Sequence, residues 1–427
     1  MADFLTATEA ARRLGVKPAT LYAYVSRGVL TRSRAADGRA SLFSADEVDR
    51  LARKGRPRRP AGTLEITVES AITELTADTL RFRGLDATRL AVSRTFEDVA
   101  ELLWTGEFRP AGAPWQARPA ALAAGRAAQA ALPAGTLPLE RLQVIVPAMA
   151  ATDPLRLQLD QSAVLVAGRN IIAGMVDCLP SAALSPEAAG QKAALPDATV
   201  GQAPPVDAAA SHGEPVATRL WTRLCDHRAS PALLRATSAA LVLLADHELA
   251  ASTLAARAAA SVRADPYAVV GTGLGAVSGA LHGGASLGAE TLLAAASGPD
   301  DVPRVVAELL RRGEKVPGFG HFVYRGGDPR ATVLLDLVRQ AAPKSGQLAV
   351  AEAVLTEVRH KSLPEPNIDF ALATLARVAG MTRGAGEAVF AVARTAGWIA
   401  HALEAYNGPG PLRPRAVYTG RPATSEA

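Results

Sequence analysis

Three of the chain's seven histidines stand in unusual company. His247 lies in ADHELAAST, His282 in GALHGGAS and His321 in VPGFGHFVYRGGDPRA, each beside glycine or an acid. Glycine lets backbone turn tightly and approach a ligand closely. A neutral imidazole can donate a hydrogen bond or move a proton near neutral pH. One carboxylate joins them: Asp369, after Pro366 and Asn367 at an expected helix start. The helix dipole favours an acid there, and the position also suits a general base beside a ligand. Arg330 in DPRA, Arg394 in AVARTAGW and Arg413 in RPRAVYTG complete the set. Guanidinium groups grip carboxylates through two parallel bonds, so three together would suit a substrate with several carboxylates. Taken singly, each histidine is as well read as a hydrogen-bonded core residue and each arginine as a surface ion pair. No histidine segment has His-x-x-x-His or Glu-x-x-His spacing on one helix, so no metal is expected.

Helices are expected to position these groups. Alanine is abundant and aromatics are only 4%, which favours helices over a strand-rich sandwich. FEDVAELLWTGEF (96–108) is amphipathic, with Val99, Leu102 and Leu103 inward, and QSAVLVAGRNIIAGMVDCL (161–179) reads as a buried helix. Residues 181–216 are rich in Ala, Pro, Gly and Ser and read as a loop or disordered insertion. Helical patterning resumes at about Ala217 and runs to about Tyr406. No apolar run reaches the length of a membrane span and no signal peptide opens the chain, so a cytoplasmic protein with no membrane contact is expected. Two cysteines, Cys178 and Cys225, are too few for a disulfide framework.

Charge is unevenly distributed. Residues 1–60 carry 13 Lys or Arg against 6 Asp or Glu, a net of +7, while the rest of the chain is near −2. Thr6-Ala7-Thr8-Glu9 is a capping box that opens a short helix with Ala10, Ala11 and Leu14 on one face. A second helix, 18–27, places Leu21 and Val25 inward. Thr31 to Phe43 is expected to form a hairpin around Asp37-Gly38, and Ser44 to Glu47 reads as a second capping box. LTATEAARRLGVKPATLYAYVSRGVL resembles the winged helix-turn-helix of mercury-resistance-type regulators and phage excisionases, over residues 4–53. That resemblance implies possible DNA contact through the module, with a protein-contact role as the alternative. Residues 55–62, GRPRRPAG, read as a linker.

The larger part has its own likeness. LHGGAS, GFGHFVYRGGDPRA, PNIDF, GWIAHALE and RPRAVYTG resemble the citrate synthase family, in that order, over roughly 63–421. The resemblance implies a mainly α, two-domain helical fold preceded by the small winged module at 1–54. The large domain would be 63–283 and 381–427, the small domain 284–380, and the assembly a homodimer. It implies an acyltransferase that condenses acetyl-CoA with oxaloacetate and hydrolyses citryl-CoA. Coenzyme A would enter as co-substrate, with no cofactor bound tightly. By motif position Asp369 would be the base, His282 would stabilise the enolate, and His321 would polarise the ketone of oxaloacetate. His247, Arg330 and Arg394 would hold its carboxylates, with Arg413 reaching in from a partner subunit. Lys315, Val316, Pro317, Gly318, Phe319 and Gly320, with Lys361, match segments that lie along coenzyme A.

The chain also departs from the family. Ala250 stands where the family often has Asn, and Ala371, Leu372 and Ala373 stand where it often has Tyr-Ser-Gly. Propionyl-CoA, giving 2-methylcitrate, therefore stays open as the substrate. So does a transcription regulator whose body senses metabolites, although His282, His321 and Asp369 are all retained. The other histidines, His212, His227, His360 and His401, are read as structural.

Overall fold

Proline in the first turn, with Asp or Ser just before it, opens helix after helix in this chain. Pro231, Pro266 and Pro329 each begin a helix whose preceding Ser230, Asp265 or Asp328 accepts from a first-turn amide. Proline has no N–H to leave unpaired there, and the cap satisfies an amide that would otherwise be orphaned. In the computed structural model the residues described are 4–14, 16, 21, 24–25, 30–34, 41–45, 47–48, 68–108, 114–182, 213–324 and 326–414. The chain divides into two compact units, 1–68 and 69–427.

In the first unit, β1 (Phe4–Thr6) leads into α1 (Ala7–Leu14), followed by β2 (Arg32–Arg34) and β3 (Ser41–Ser44). Glu9 Oε2 accepts from Thr6 N at 2.9 Å and from Thr6 Oγ1 at 2.7 Å, which fixes the start of α1. β2 and β3 pair antiparallel, Ser33 opposite Leu42, as the hairpin reading requires. β1 adds to the other side of β3, giving the order β1-β3-β2, a strand that the sequence did not announce. Ala10, Ala11, Leu21, Leu30, Phe43 and Val48 form the core, with Val25 packed against it. The second capping box is corrected: Glu47 accepts from Thr31 N at 2.8 Å and Thr31 Oγ1 at 3.1 Å instead of reaching back to Ser44. Most of the 18–27 helix, the hairpin turn and the 55–62 linker lie outside the described residues.

The second unit opens with a small antiparallel sheet, β4 (Thr73–Leu75), β5 (Leu80–Phe82) and β6 (Leu85–Asp86), in that order. Helices follow: α2 (Ala87–Ser93), α3 (Phe96–Thr105), α4 (Pro119–Ala130), α5 (Pro138–Ala150) and α6 (Gln161–Cys178). Then come α7 (Val216–Leu224), α8 (Pro231–Leu244), α9 (Ala251–Ser261), α10 (Pro266–Val277) and α11 (Gly284–Ala295). The last are α12 (Val302–Arg311), α13 (Pro329–Ala341), α14 (Gly346–His360), α15 (Ile368–Val378) and α16 (Ala385–Tyr406). α3 buries Val99, Leu102 and Leu103 as expected, and ends at Gly106 in the left-handed region, φ 82°. Most of 181–216 lies outside the described residues. α16 is apolar around its circumference and buried along nearly its whole length, so it forms the axis on which α3, α8, α9 and α10 pack. Among the described residues, no helix is long and apolar enough to cross a membrane.

Candidate active site

Four segments converge on one polar cluster: the loop after α8 with His247, the turn before α11 with His282, the 318–328 segment with His321, and the start of α15 with Asp369. The turn at His282 is built on glycine. Gly283 N donates to Val277 O at 2.9 Å. A Cβ at Gly283 would fall 2.6 Å from that oxygen and 2.5 Å from Val277 Cγ1, so no other residue fits. His282 Nε2 lies 2.8 Å from the buried Ser252 Oγ. Its ring meets Phe390 edge-on at 5.4 Å, and Arg394 lies over the same Phe390 at 4.7 Å.

The His321 segment is zipped to the base. Gly320 N donates to Glu365 O at 2.8 Å and Asn367 N to Gly318 O at 2.9 Å. Asn367 Nδ2 donates to Gly320 O at 2.9 Å while its Oδ1 caps α15 by accepting from Asp369 N at 3.0 Å. One asparagine thus fixes the backbone on both sides of the site.

His321 is held in one tautomer. Val323 N and Tyr324 N donate to its Nδ1 at 3.0 and 3.2 Å, so Nδ1 is the acceptor and Nε2 carries the proton. Burial, then the Arg330 charge, pushes its pKa down to about 4, so the ring is neutral near pH 7. Burial, then Arg394, takes His282 to about 4 as well, and burial with Arg330 and Arg394 holds His247 well below its ordinary value. The three rings are neutral, not cations. His247 and His321 meet edge-on at 5.3 Å.

The charges are buried. Arg330 Nε and Nη2 donate to the two oxygens of Asp328 at 3.0 and 2.8 Å, with both side chains shut away from solvent. Arg394 donates through Nε to Leu244 O at 2.8 Å, and its Nη1 is buried with no partner. Asp369 Oδ1 is likewise buried with no partner. Burial, opposed by Arg330, raises the Asp369 pKa to about 7. A buried guanidinium nitrogen and a buried carboxyl oxygen without partners are expensive unless a ligand completes them.

Beside His321 opens a cavity of about 510 Å³, lined by Lys315, Val316, Phe319, Gly320, His321 and Phe322 among others. Pro317 faces a neighbouring cavity of about 350 Å³, and Gly318 backs onto Phe370. Lys361 pairs with Glu357 at 3.0 Å, and Arg413 is exposed beyond α16. Sequence reasoning missed Tyr324, Asp328 and Ser252. Asp328 carried a visible signal, an acid directly before the proline that opens α13; Tyr324 and Ser252 carried none. Of the histidines read as structural, His401 is fully buried between Arg257 and Asp246, His227 lies 3.2 Å from Asp226, His360 is exposed, and His212 lies outside the described residues.

Comparison with known proteins identifies the family. Residues 63–415 match the family model for the citrate synthase C-terminal domain, and residues 4–56 match a helix-turn-helix domain. Citrate synthase of Haloferax volcanii is 31% identical over 83% of this chain and 94% of its own length. Citrate synthase 2 of Bacillus subtilis is 37% identical, though the match spans 52% of that relative and 45% of this chain. The fold matches citrate synthase of Thermotoga maritima, with TM-score 0.65 and 24% identity over 84% of this chain and 95% of that one. It also matches that of Thermoplasma acidophilum, solved as a ternary complex with carboxymethyl coenzyme A and oxaloacetate, with TM-score 0.67 and 22% identity over 86% and 96%. The chain therefore belongs to the citrate synthase family, with a helix-turn-helix domain at its N-terminal end.

Proposed function

We propose that the chain condenses acetyl-CoA with oxaloacetate and hydrolyses the adduct to citrate and coenzyme A. The observation that carries this reading is Asp369: a carboxylate with a buried, unpartnered oxygen, a pKa raised to about 7, and neutral histidines in the same cluster. A thioester α-proton is weakly acidic, so the base must be poised near neutral pH and the enolate oxygen must meet a donor.

Asp369 takes the methyl proton, and the C–H electron pair becomes the enolate of the thioester. His282 stabilises that oxygen as a neutral donor, which does not surrender its proton to the nearby acid. The enolate carbon attacks the ketone carbon of oxaloacetate, whose π pair moves to oxygen and meets the Nε2–H of His321. Water then cleaves the thioester C–S bond and releases the thiol. Arg330, Arg394 and His247 hold the carboxylates, and the unpartnered Arg394 Nη1 gives one of them a donor. Coenzyme A lies along Lys315 to Gly320, closed in by a small domain at 284–380, and Arg413 completes the site from the second subunit of a homodimer. The 4–53 unit contacts DNA, a reading supported by its helix-turn-helix match and net positive charge.

The test is thiol release with oxaloacetate and either acetyl-CoA or propionyl-CoA. Faster release with acetyl-CoA supports the proposal. Preference for propionyl-CoA makes the product 2-methylcitrate. No release with either, while oxaloacetate still binds, turns the body into a sensor.

A further inference from the structure

Tyr324 sits among the groups assigned above to oxaloacetate. Its hydroxyl lies 3.0 Å from His247 Nε2, its ring is 4.6 Å from the ring of His321, and the Arg330 guanidinium lies 5.5 Å from its centroid. It is buried, and burial pushes its phenol up to about 12, so it is a neutral hydroxyl at any working pH. Three of the groups assigned above to oxaloacetate are therefore gathered around one phenol in the ligand-free site.

A histidine that grips a carboxylate must present an N–H to it. In this structure the Nε2 of His247 is already paired with an oxygen, and that oxygen is uncharged. A carboxylate is the stronger acceptor for the same donor. The phenol and the substrate carboxylate compete for one nitrogen. Tyr324 lies between glycines in the left-handed region: Gly318 and Gly320 at φ 82° and Gly327 at φ 112°. Its neighbour Phe322 is almost fully exposed beside the 510 Å³ cavity.

We propose that Tyr324 is a placeholder for a substrate carboxylate: its hydroxyl occupies His247 Nε2 in the empty site and is displaced when a dicarboxylate keto acid binds. The inference rests on the functional reading above. Displacement would free Tyr324 beside Phe319, Gly320, His321 and Phe322, which line the cavity assigned to the thioester. The empty protein keeps His247 satisfied meanwhile, so the buried ring does not stand unpaired.

The experiment is calorimetric titration of oxaloacetate into the full-length protein and into Tyr324→Phe, with folding followed by thermal melting. The ring stays and only the hydroxyl goes. A placeholder lowers the free energy of the empty state alone, so its removal tightens oxaloacetate binding, by about five-fold for one neutral hydrogen bond. Unchanged affinity overturns the proposal, and so does weaker binding, which would make Tyr324 a positioning group in the bound state. Tyr324→Met, which fills the same space without a hydroxyl, must move in the same direction, and it decides the matter if Tyr324→Phe does not fold. Failure of the unaltered protein to bind oxaloacetate would overturn both this inference and the functional reading. A wrong sign in the variants with normal binding by the unaltered protein overturns the placeholder alone.

Discussion

Asp328 Oδ2 accepts the backbone N–H of Ile368 at 3.0 Å while the same carboxylate holds Arg330 through both of its oxygens. Ile368 is the first residue of α15, next to the base, and Asp328 caps α13. One buried acid therefore sets the register between the arginine expected to grip the substrate and the helix that presents Asp369. Arg330→Lys keeps the positive charge but loses the planar fork that spans Asp328. Oxaloacetate binding is expected to weaken by roughly ten-fold or more, the scale of losing a charge-assisted hydrogen bond. Calorimetric titration checks this; unchanged affinity would remove Arg330 from the clamp.

Gly318 is required by both conformation and space. Its φ is 82°, and a Cβ there would lie 2.8 Å from Phe370 Cβ and 3.0 Å from Phe370 N. Gly318→Ala is expected to cost about 1–3 kcal/mol in backbone strain alone. It should also push the 318–320 strip away from Asn367 and lower turnover, because His321 and Asp369 are positioned across that pairing. Urea unfolding and steady-state kinetics together check it, and a variant with unaltered stability would show that the strip relaxes freely.

Asp369 has a stability signature separate from catalysis. Its folded pKa is raised to about 7, above the ordinary carboxylate value of about 3.9. Between those two values the folded state binds the proton more tightly than the unfolded chain, so this group makes stability fall as pH rises from about 4 to about 7. The cost is absent below that window and complete above it. Asp369→Asn should therefore melt higher than the unaltered protein at pH 8, with the gap closing as pH falls toward 4. Equal melting temperatures at both ends would show that the acid is not desolvated.

The helices were legible because their signals are local. The Thr6–Glu9 cap, the inward face of α3, the buried character of α6 and the end of α16 follow from neighbours a few residues apart. The glycine-flanked histidines and Asp369 stood out for the same reason. What the sequence did not reveal is pairing across long separations. Ser252 meets His282 thirty positions away, and Tyr324 meets His247 across seventy-seven. The short strands β1 and β4 to β6 have too few residues for alternation to show. Glu47 was read as part of a local cap, but a tertiary partner, Thr31, outcompeted it.

The first unit should be separable from catalysis, since the clustered histidines, arginines and Asp369 all belong to the second. Deleting residues 1–60 removes a net +7. Thiol release is expected to survive, and DNA affinity to disappear. In the full chain that affinity should fall steeply with salt, because phosphate contacts release counterions. Mobility shifts over genomic fragments at several salt concentrations check this. Equal DNA binding by full-length and truncated protein would assign the unit another role.

If Asp369 is the base of an oxaloacetate–acetyl-CoA condensation, the pH dependence of kcat/KM for acetyl-CoA must carry its titration. The base must be ionised, so kcat/KM should rise with pH through a midpoint near 7 and level off above it. Asp369→Asn should bind oxaloacetate normally, lose roughly 10²–10⁴ in turnover and lose the rising limb. A variant that turns over normally, or that keeps the same rising limb, would show that Asp369 is not the base.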